Sequence, residues 1–103
     1  MTAKAANKSR EIRELVDRVA QVEVGSRVRV VDHWPADPHA IGFARRRGSS
    51  RIVYVSSWEQ PANTFYWSIE TRAGAIAREG AAVSDELIRV IDETFPATMS
   101  RTG

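Results

Sequence analysis

The sequence predicts a small α+β domain, an antiparallel sheet of four to five strands flanked by an N-terminal and a C-terminal helix. Two observations carry this prediction. Apolar residues recur at helical spacing near both ends of the chain, and strand-like runs joined by short loops lie between them. Because short loops join consecutive strands antiparallel, and no helical pattern separates the runs, a parallel sheet is excluded.

The first predicted element is a helix that begins after Ser9, its N-cap, and ends near Gln21. One face is a buried apolar stripe, and the other carries oppositely charged pairs four residues apart. The stripe consists of Ile12, Leu15, Val16 and Val19, and the pairs are Arg10–Glu14, Arg13–Asp17 and Glu14–Arg18. Residues 1–8 are small, polar and basic without periodicity, which predicts a mobile arm.

Three runs in the middle of the chain predict the first strands. In residues 26–32 (SRVRVVD), valines alternate with arginines, which is typical of a half-buried strand. Residues 41–47 and 51–58 flank a Gly-Ser loop and predict a hairpin. The run 51–58 is apolar on both faces, which predicts a strand in the middle of the sheet; Ile52 and Tyr54 form one face, and Val53 and Val55 the other.

The last part of the chain predicts one clear strand, a short strand and a helix. Residues 64–72 alternate cleanly, and residues 73–80 indicate a tight reversal into a short strand. Ser84 is predicted to cap the final helix, which Phe95-Pro96 ends. We therefore expect a single domain over residues 9–95 and a loose C-terminal tail over 96–103.

Composition excludes several classes of function. No apolar run approaches the roughly 18 residues of a membrane span, and no apolar segment follows the basic N-terminus as in a secretory signal. The absence of cysteine excludes disulfides, thiolate metal sites and cysteine nucleophiles. The glycines are isolated, so no phosphate-binding loop can be built. We expect a cytoplasmic protein with no cofactor and no membrane partner.

The segment 32–39 (DHWPADPH) contains both histidines of the chain. Its imidazoles and carboxylates are suitable ligands for zinc or manganese, and His33 beside Asp32 resembles a general base with its orienting acid. Two prolines stiffen the segment and hold such ligands apart, and adjacent residues orient each other poorly. We therefore expect no bound metal and no catalytic residue here, but a loop whose Trp34 packs as an apolar lid on the sheet edge.

Seven residues are candidates for binding a partner. Four arginines cluster at the tip of the predicted hairpin, where they suit phosphates or a nucleic-acid groove: Arg45, Arg46, Arg47 and Arg51. Three aromatic residues are expected at least partly outside the core, and their types dominate protein–protein hot spots: Trp34, Trp58 and Tyr66. The non-functional alternatives are a charged edge that prevents aggregation and aromatic lids on the core.

The charge distribution favours contacts with a partner. Six arginines lie between residues 27 and 51, and five acids between residues 79 and 93, although the net charge is only +2. By elimination we expect a non-enzymatic binding or regulatory domain acting through protein–protein contacts, like small inhibitor, immunity or adaptor proteins. The alternatives are a nucleic-acid-binding module using the arginine hairpin and a small enzyme with His33 as general base. We also expect a homodimer, because two helices are few to cover a strand that is apolar on both faces.

Overall fold

A computed structural model describes residues 5–32, 34–48 and 51–97 of the chain. The five strands pair antiparallel with their neighbours in sequence order. This arrangement confirms the predicted α+β class with a helix at each end. The elements are α1 (Arg10–Gln21), a 3-10 helix (Glu23–Ser26), β1 (Val28–Val31), β2 (Ala40–Arg45), β3 (Arg51–Ser56), β4 (Thr64–Thr71), β5 (Ile76–Val83) and α2 (Ser84–Thr94).

Both helices pack on the same side of the sheet, which we call the helical face. One buried apolar cluster joins the stripe of α1, the stripe of α2 and the strand side chains that point towards them. Strands and helices contribute fully or nearly fully buried side chains, among them Ile12, Leu15, Phe43, Val53, Val55, Leu87 and Ile91. At about 25 cal/mol per Å² of buried apolar surface, this cluster is the main stabilising feature of the fold.

The opposite side of the sheet, which we call the open face, carries no helix within the described residues. Its central row runs across four strands, because Gly42 pairs with Tyr54, Tyr54 with Ser68 and Ser68 with Glu79. β3 is the middle strand, as predicted. The side chain that packs on Tyr54 from outside the sheet is Trp34 of the same chain. Ile52 and Tyr54 on this face of β3 stay partly exposed, and the expected homodimer stays a prediction.

The structure differs from the predicted mobile arm within its second half. Ala5 is completely buried in the apolar cluster, and Lys8 is buried as well. Sequence periodicity did not show this, because single residues ahead of a helix have no repeat to reveal their burial. Residues 1–4 of the predicted arm and 98–103 of the predicted tail lie outside the described residues, whereas Phe95 is buried and ends α2.

The start of α2 also differs from its prediction. Ser84 does not cap the helix: Val83 occupies the N-cap position without a side-chain hydrogen bond, and the Ser84 hydroxyl accepts from the guanidinium of Arg18. Arg18 also forms an ion pair with Asp85 of α2, whereas we predicted that it would pair with Glu14 of its own helix. Strand β5 extends over eight residues up to this point, further than the short strand that we predicted. None of the helices in the described ranges has the length and apolar content to cross a membrane.

Candidate binding surface

The loop between β1 and β2 is held by a buried lysine. Lys8 Nζ donates to the carboxylate of Asp32 at 3.0 Å and to the main-chain carbonyls of Trp34 at 3.0 Å and Asp37 at 2.7 Å. All three donors of the ammonium group have acceptors, and its side chain is completely inaccessible. A buried charge is tolerated when it is both paired and hydrogen-bonded, and this one is. We call this arrangement the Lys8 latch.

Main-chain hydrogen bonds fix the rest of the loop. The Asp32 carboxylate also accepts from the Trp34 N–H at 3.1 Å, and the Asp37 carboxylate accepts from the His39 N–H at 2.9 Å. Both are local turns of the kind that aspartate favours. The loop is tied to α1 by the Ser9 N–H, which donates to the carbonyl of Pro38 at 2.8 Å. The segment is therefore a supported connector, consistent with the structural interpretation of its prolines and aspartates.

Trp34 begins a row of three aromatic rings across the open face, the aromatic row Trp34–Tyr54–Tyr66. The ring centroids of Trp34 and Tyr54 lie 4.7 Å apart, and those of Tyr54 and Tyr66 lie 6.1 Å apart, both edge-to-face. Gly42 permits the first contact, because a Cβ at that position would lie 3.2 Å from the Trp34 ring. Each ring is partly exposed, so the row is a surface feature on a rigid sheet.

The aromatic row ends beside two glutamates. The Tyr66 hydroxyl donates to the Glu79 carboxylate at 2.6 Å, and the Ser68 hydroxyl donates to that of Glu70 at 3.3 Å. The hydrogen bond to Glu79 is the largest cause that holds the pKa of Tyr66 above its ordinary value of 10.0, because ionisation would remove the donor. Tyr66 is thus a neutral donor at physiological pH, and the carboxylates make this end of the open face acidic.

Trp58 stands apart from the aromatic row, just beyond the end of β3. It is 61% exposed, which confirms its predicted position outside the core, and its ring centroid lies 5.4 Å from that of His39. Ser57 Oγ lies 3.4 Å from His39 Nδ1, a long contact. The Asp37 carboxylate is bonded to the His39 main chain, so the described contacts contain no acid that orients the imidazole as in a catalytic triad. His33, the predicted base of the enzyme alternative, lies outside the described residues.

Two of the four candidate arginines donate to main-chain carbonyls of the fold. Arg45 donates twice to the carbonyl of Pro96 at 3.1 Å, with its guanidinium 5.8 Å from the centroid of the Phe95 ring. Arg46 donates to the carbonyl of Ser26 at 2.9 Å. Arg47 and Arg51 are exposed, but residues 49–50 between them are not described. Arg45 and Arg46 therefore donate to carbonyls at or just beyond the C-terminal end of a helix, where cations are favoured.

Part of the charge asymmetry in the sequence is neutralised within the fold. Arg27 forms ion pairs with Asp92 of α2 and with Glu23, and it donates to the carbonyl of Phe95 at 2.9 Å. The pair of Arg27 and Asp92 joins the basic segment to the acidic one, and Arg18 of α1 neutralises Asp85 of the same acidic segment. The sequence could not show this, because Arg27 and Asp92 are 65 residues apart.

Sequence reasoning missed four residues of this surface. Tyr54 was considered only for stacking bases in the nucleic-acid alternative, and Lys8 gave no local signal, since its carboxylate partner is 24 residues away. Glu70 could have been found, because alternation in the run 64–72 places it on the same face as Tyr66. Glu79 depends on the pairing of β5 with β4, which sequence alone does not give.

No group of three or more histidine, cysteine, aspartate or glutamate side chains that could hold a metal ion occurs among the described residues. Comparisons with protein-family models, with curated proteins and with solved structures found no match to this chain. The function is therefore argued from the chemistry of the surface itself.

Proposed function

We propose that this chain is a non-enzymatic binding domain that acts through protein–protein contacts, with the open face as its binding surface. The observation that carries the proposal is the partly exposed aromatic row that ends beside Glu70 and Glu79. Tyrosine and tryptophan supply large contact areas at low cost in side-chain entropy, and they are enriched where binding energy concentrates.

Two further features of the aromatic row favour binding: the fixed loop that carries Trp34 and the carboxylates beside Tyr66. The Lys8 latch fixes the loop backbone on both sides of the Trp34 ring, so little ordering entropy remains to be lost when a partner docks. The two carboxylates select for positive charge in that partner, since a like-charged surface would be repelled. We therefore expect a partner protein that presents lysine or arginine beside an apolar or aromatic patch.

The same surface is poorly suited to nucleic acid. Glu70 and Glu79 lie beside the exposed tyrosines, where phosphates would have to approach if bases stacked on the rings. Arg45 and Arg46 already donate to main-chain carbonyls of the fold. Inhibitor, immunity and adaptor proteins remain the classes that we propose, and a cytoplasmic location stays part of the proposal.

Affinity capture from the native cell tests the proposal when three forms of the protein are compared. The wild type is matched with Tyr66→Ala/Glu70→Ala on the open face and with Glu86→Ala/Arg89→Ala, which changes two exposed residues of α2 on the helical side. We expect the wild type and the control to retain the same protein partner. For the purified partner, the open-face variant should lose at least about tenfold in affinity, which corresponds to about 1.4 kcal/mol.

Two results would contradict the proposal. One is a partner that binds the open-face variant as tightly as the wild type, which would place the contact elsewhere. The other is a captured complex that nuclease treatment dissolves, since that would show nucleic acid as the bound species. Circular dichroism of each variant confirms that the fold is intact before binding is compared.

A further inference from the structure

Strand β5 forms one edge of the sheet and is exposed along nearly its whole length. It covers Ile76–Val83 and, within the part of the chain that the structure describes, pairs with β4 alone; all of its residues except Gly80 and Ala82 are exposed. The main-chain N–H and C=O groups on its outer side are a template for another strand. Natural edges are commonly guarded by charged residues, proline or bulges. In this strand (IAREGAAV) the charges Arg78 and Glu79 and the irregular pairing lie in the first half, whereas the second half, residues 80–83, contains no charge and no proline.

We propose that a second copy of this chain pairs antiparallel with the β5 edge, with Gly80 opposite Gly80 on the two-fold axis. The result is a continuous ten-stranded sheet whose two open faces lie on the same side. This inference does not depend on the partner proposed above, because it uses the edge of the sheet and not the aromatic row.

The irregular pairing of β5 decides which side chains meet in this register. Ile69 pairs with Arg78 and Glu70 pairs with Ile76, so Ala77 is an extra residue in the strand. Ile76 therefore lies on the open face together with Glu79, Ala81 and Val83. In a two-fold antiparallel pair, directly opposed residues share a face. With Gly80 on the axis, Glu79 is opposite Ala81 of the second copy. The extra residue Ala77 shifts the count by one beyond Arg78, so Ile76, and not Ala77, is opposite Val83 of the second copy.

This register joins the two large apolar side chains that β5 leaves exposed. Ile76 is 52% exposed and Val83 is 45% exposed in the single chain. The two-fold axis makes the Ile76–Val83 contact occur twice, at the two ends of the paired strands. Cross-strand apolar pairs of this kind each contribute roughly 0.2–1 kcal/mol beyond the main-chain hydrogen bonds.

The neighbouring registers are disfavoured by charge and by length. If the axis passed through Glu79, two glutamates would be directly opposed, which is destabilising. If it passed through Ala81, Glu79 would be opposite Val83 and Ile76 would extend past the end of the second strand. The register through Gly80 opposes no like charges and uses the full strand, so the edge is complementary to itself.

The expected dimer is weak and depends on concentration. Pairing one strand buries less surface than the roughly 1,600 Å² of a standard interface, so we expect dissociation in about the micromolar range or weaker. The dimer places two aromatic rows on one continuous surface. A partner with two matching sites would then bind with higher avidity than either site gives alone.

Sedimentation velocity over about a hundredfold range of concentration tests the proposal, since a dimer changes with concentration and a monomer does not. The two informative variants are Ile76→Lys/Val83→Lys and Ile76→Glu/Val83→Lys. Within one chain, positions 76 and 83 are about 20 Å apart along the strand, beyond the screening length of about 8 Å at physiological salt. Any interaction between the introduced charges therefore reports contact between two chains.

We expect the wild type to dimerise, and the variant with two lysines to weaken association at least tenfold because like charges meet. The variant with opposite charges should associate more strongly than the one with two lysines, and added salt should reduce that difference. A wild type that remains monomeric at every concentration would overturn the proposal. Equal association of the two variants would do the same, because positions 76 and 83 would not meet. Trp34→Ala, in the loop between β1 and β2, removes one ring of the aromatic row and should leave the dimer unchanged, so failure of the binding surface and failure of the dimer are distinguishable.

Discussion

The two faces of this sheet are covered by different means. On the helical face, two amphipathic helices bury an apolar cluster to which all five strands contribute. On the open face, one loop covers part of the sheet with a single tryptophan, and a buried ion pair holds the backbone of that loop. The packing of the helices is the sum of many small apolar contacts, whereas the position of the loop depends on a few directional hydrogen bonds from the ammonium group of Lys8.

This difference assigns stability mainly to the helical face and binding to the open face. Apolar packing is non-directional and tolerates many sequences, so it suits a face whose task is to hold the fold together. A hydrogen-bonded loop leaves most of its face accessible and still fixes the position of each group. The open face can therefore be both ordered and available to a partner, which the helical face cannot.

The helical face should show the largest response to truncation. Leu87 of α2 is completely buried in the apolar cluster, and Leu87→Ala removes that packing and leaves a cavity. We expect the free energy of unfolding to fall by about 2–5 kcal/mol in urea titrations. The matched control Glu86→Ala, at the exposed neighbouring position, should change it by less than about 0.5 kcal/mol. A loss below about 1 kcal/mol for Leu87→Ala would contradict the packing of α2 on this face.

The latch should show the next largest response, although it contains only one lysine. Lys8→Met keeps a side chain of similar length but leaves Asp32 and two carbonyls without their donor. We expect a loss of about 2–3 kcal/mol, because the Asp32 charge is left nearly buried. Arg10→Met is the matched control; it breaks the exposed ion pair with Glu14 and should cost below about 0.5 kcal/mol. Equal effects of the two substitutions in chemical unfolding would mean that the loop is held by other contacts.

Gly42→Ala should disturb the open face alone. The added methyl group would lie 3.0 Å from an Ile52 side-chain carbon and 3.2 Å from the Trp34 ring, so one of them must move. We expect a loss of about 1–2 kcal/mol and a changed near-ultraviolet circular dichroism spectrum, because the Trp34–Tyr54 contact is altered. Ala44→Gly, on the same strand and face but with no side chain added, should leave the aromatic signal in place. An unchanged spectrum in Gly42→Ala would show that Trp34 does not lie on Gly42.

The smallest expected effect concerns the titration of Tyr66. The chain has two tyrosines, so in a Tyr54→Phe background the tyrosinate absorbance reports Tyr66 alone. Its pKa should lie above 10.0, and Glu79→Ala should lower it. Because the folded pKa is raised, the linked stability is fully present below pH 10 and declines as the pH rises through the folded value. This contribution is small for a partly exposed group. An unchanged pKa in Glu79→Ala would contradict the described hydrogen bond.

The contrast between the faces also explains which features the sequence could predict. The stripe of α1 with its Ser9 cap, the alternation of β4 and the middle position of β3 were predicted from local patterns, and all are found in the structure. They determine the helical face almost completely. Periodicity reports burial of apolar groups, and that face is made of apolar groups.

The candidate site was predicted less well, because its decisive contacts are polar and distant in sequence. Lys8 meets Asp32 across 24 residues, and Arg45 meets Pro96 across 51. No local pattern distinguishes a lysine that holds a loop from one in solvent, or an arginine that binds a carbonyl from one that binds a partner. Trp34 was predicted as a lid on the sheet edge, but the ring that it meets is Tyr54 of the middle strand, a contact that depends on strand register.

Hydrogen–deuterium exchange of Lys8→Met against the wild type tests the separation of the two faces most directly. The informative amides are those of Trp34, Asp37 and His39, whose hydrogen bonds are made within the loop. The account predicts that these amides lose protection while amides of α1 and β3 keep theirs, relative to the lowered global stability. Loss of protection that is uniform across both faces, or no change in the loop, would contradict the claim that a single buried lysine orders the loop on the open face.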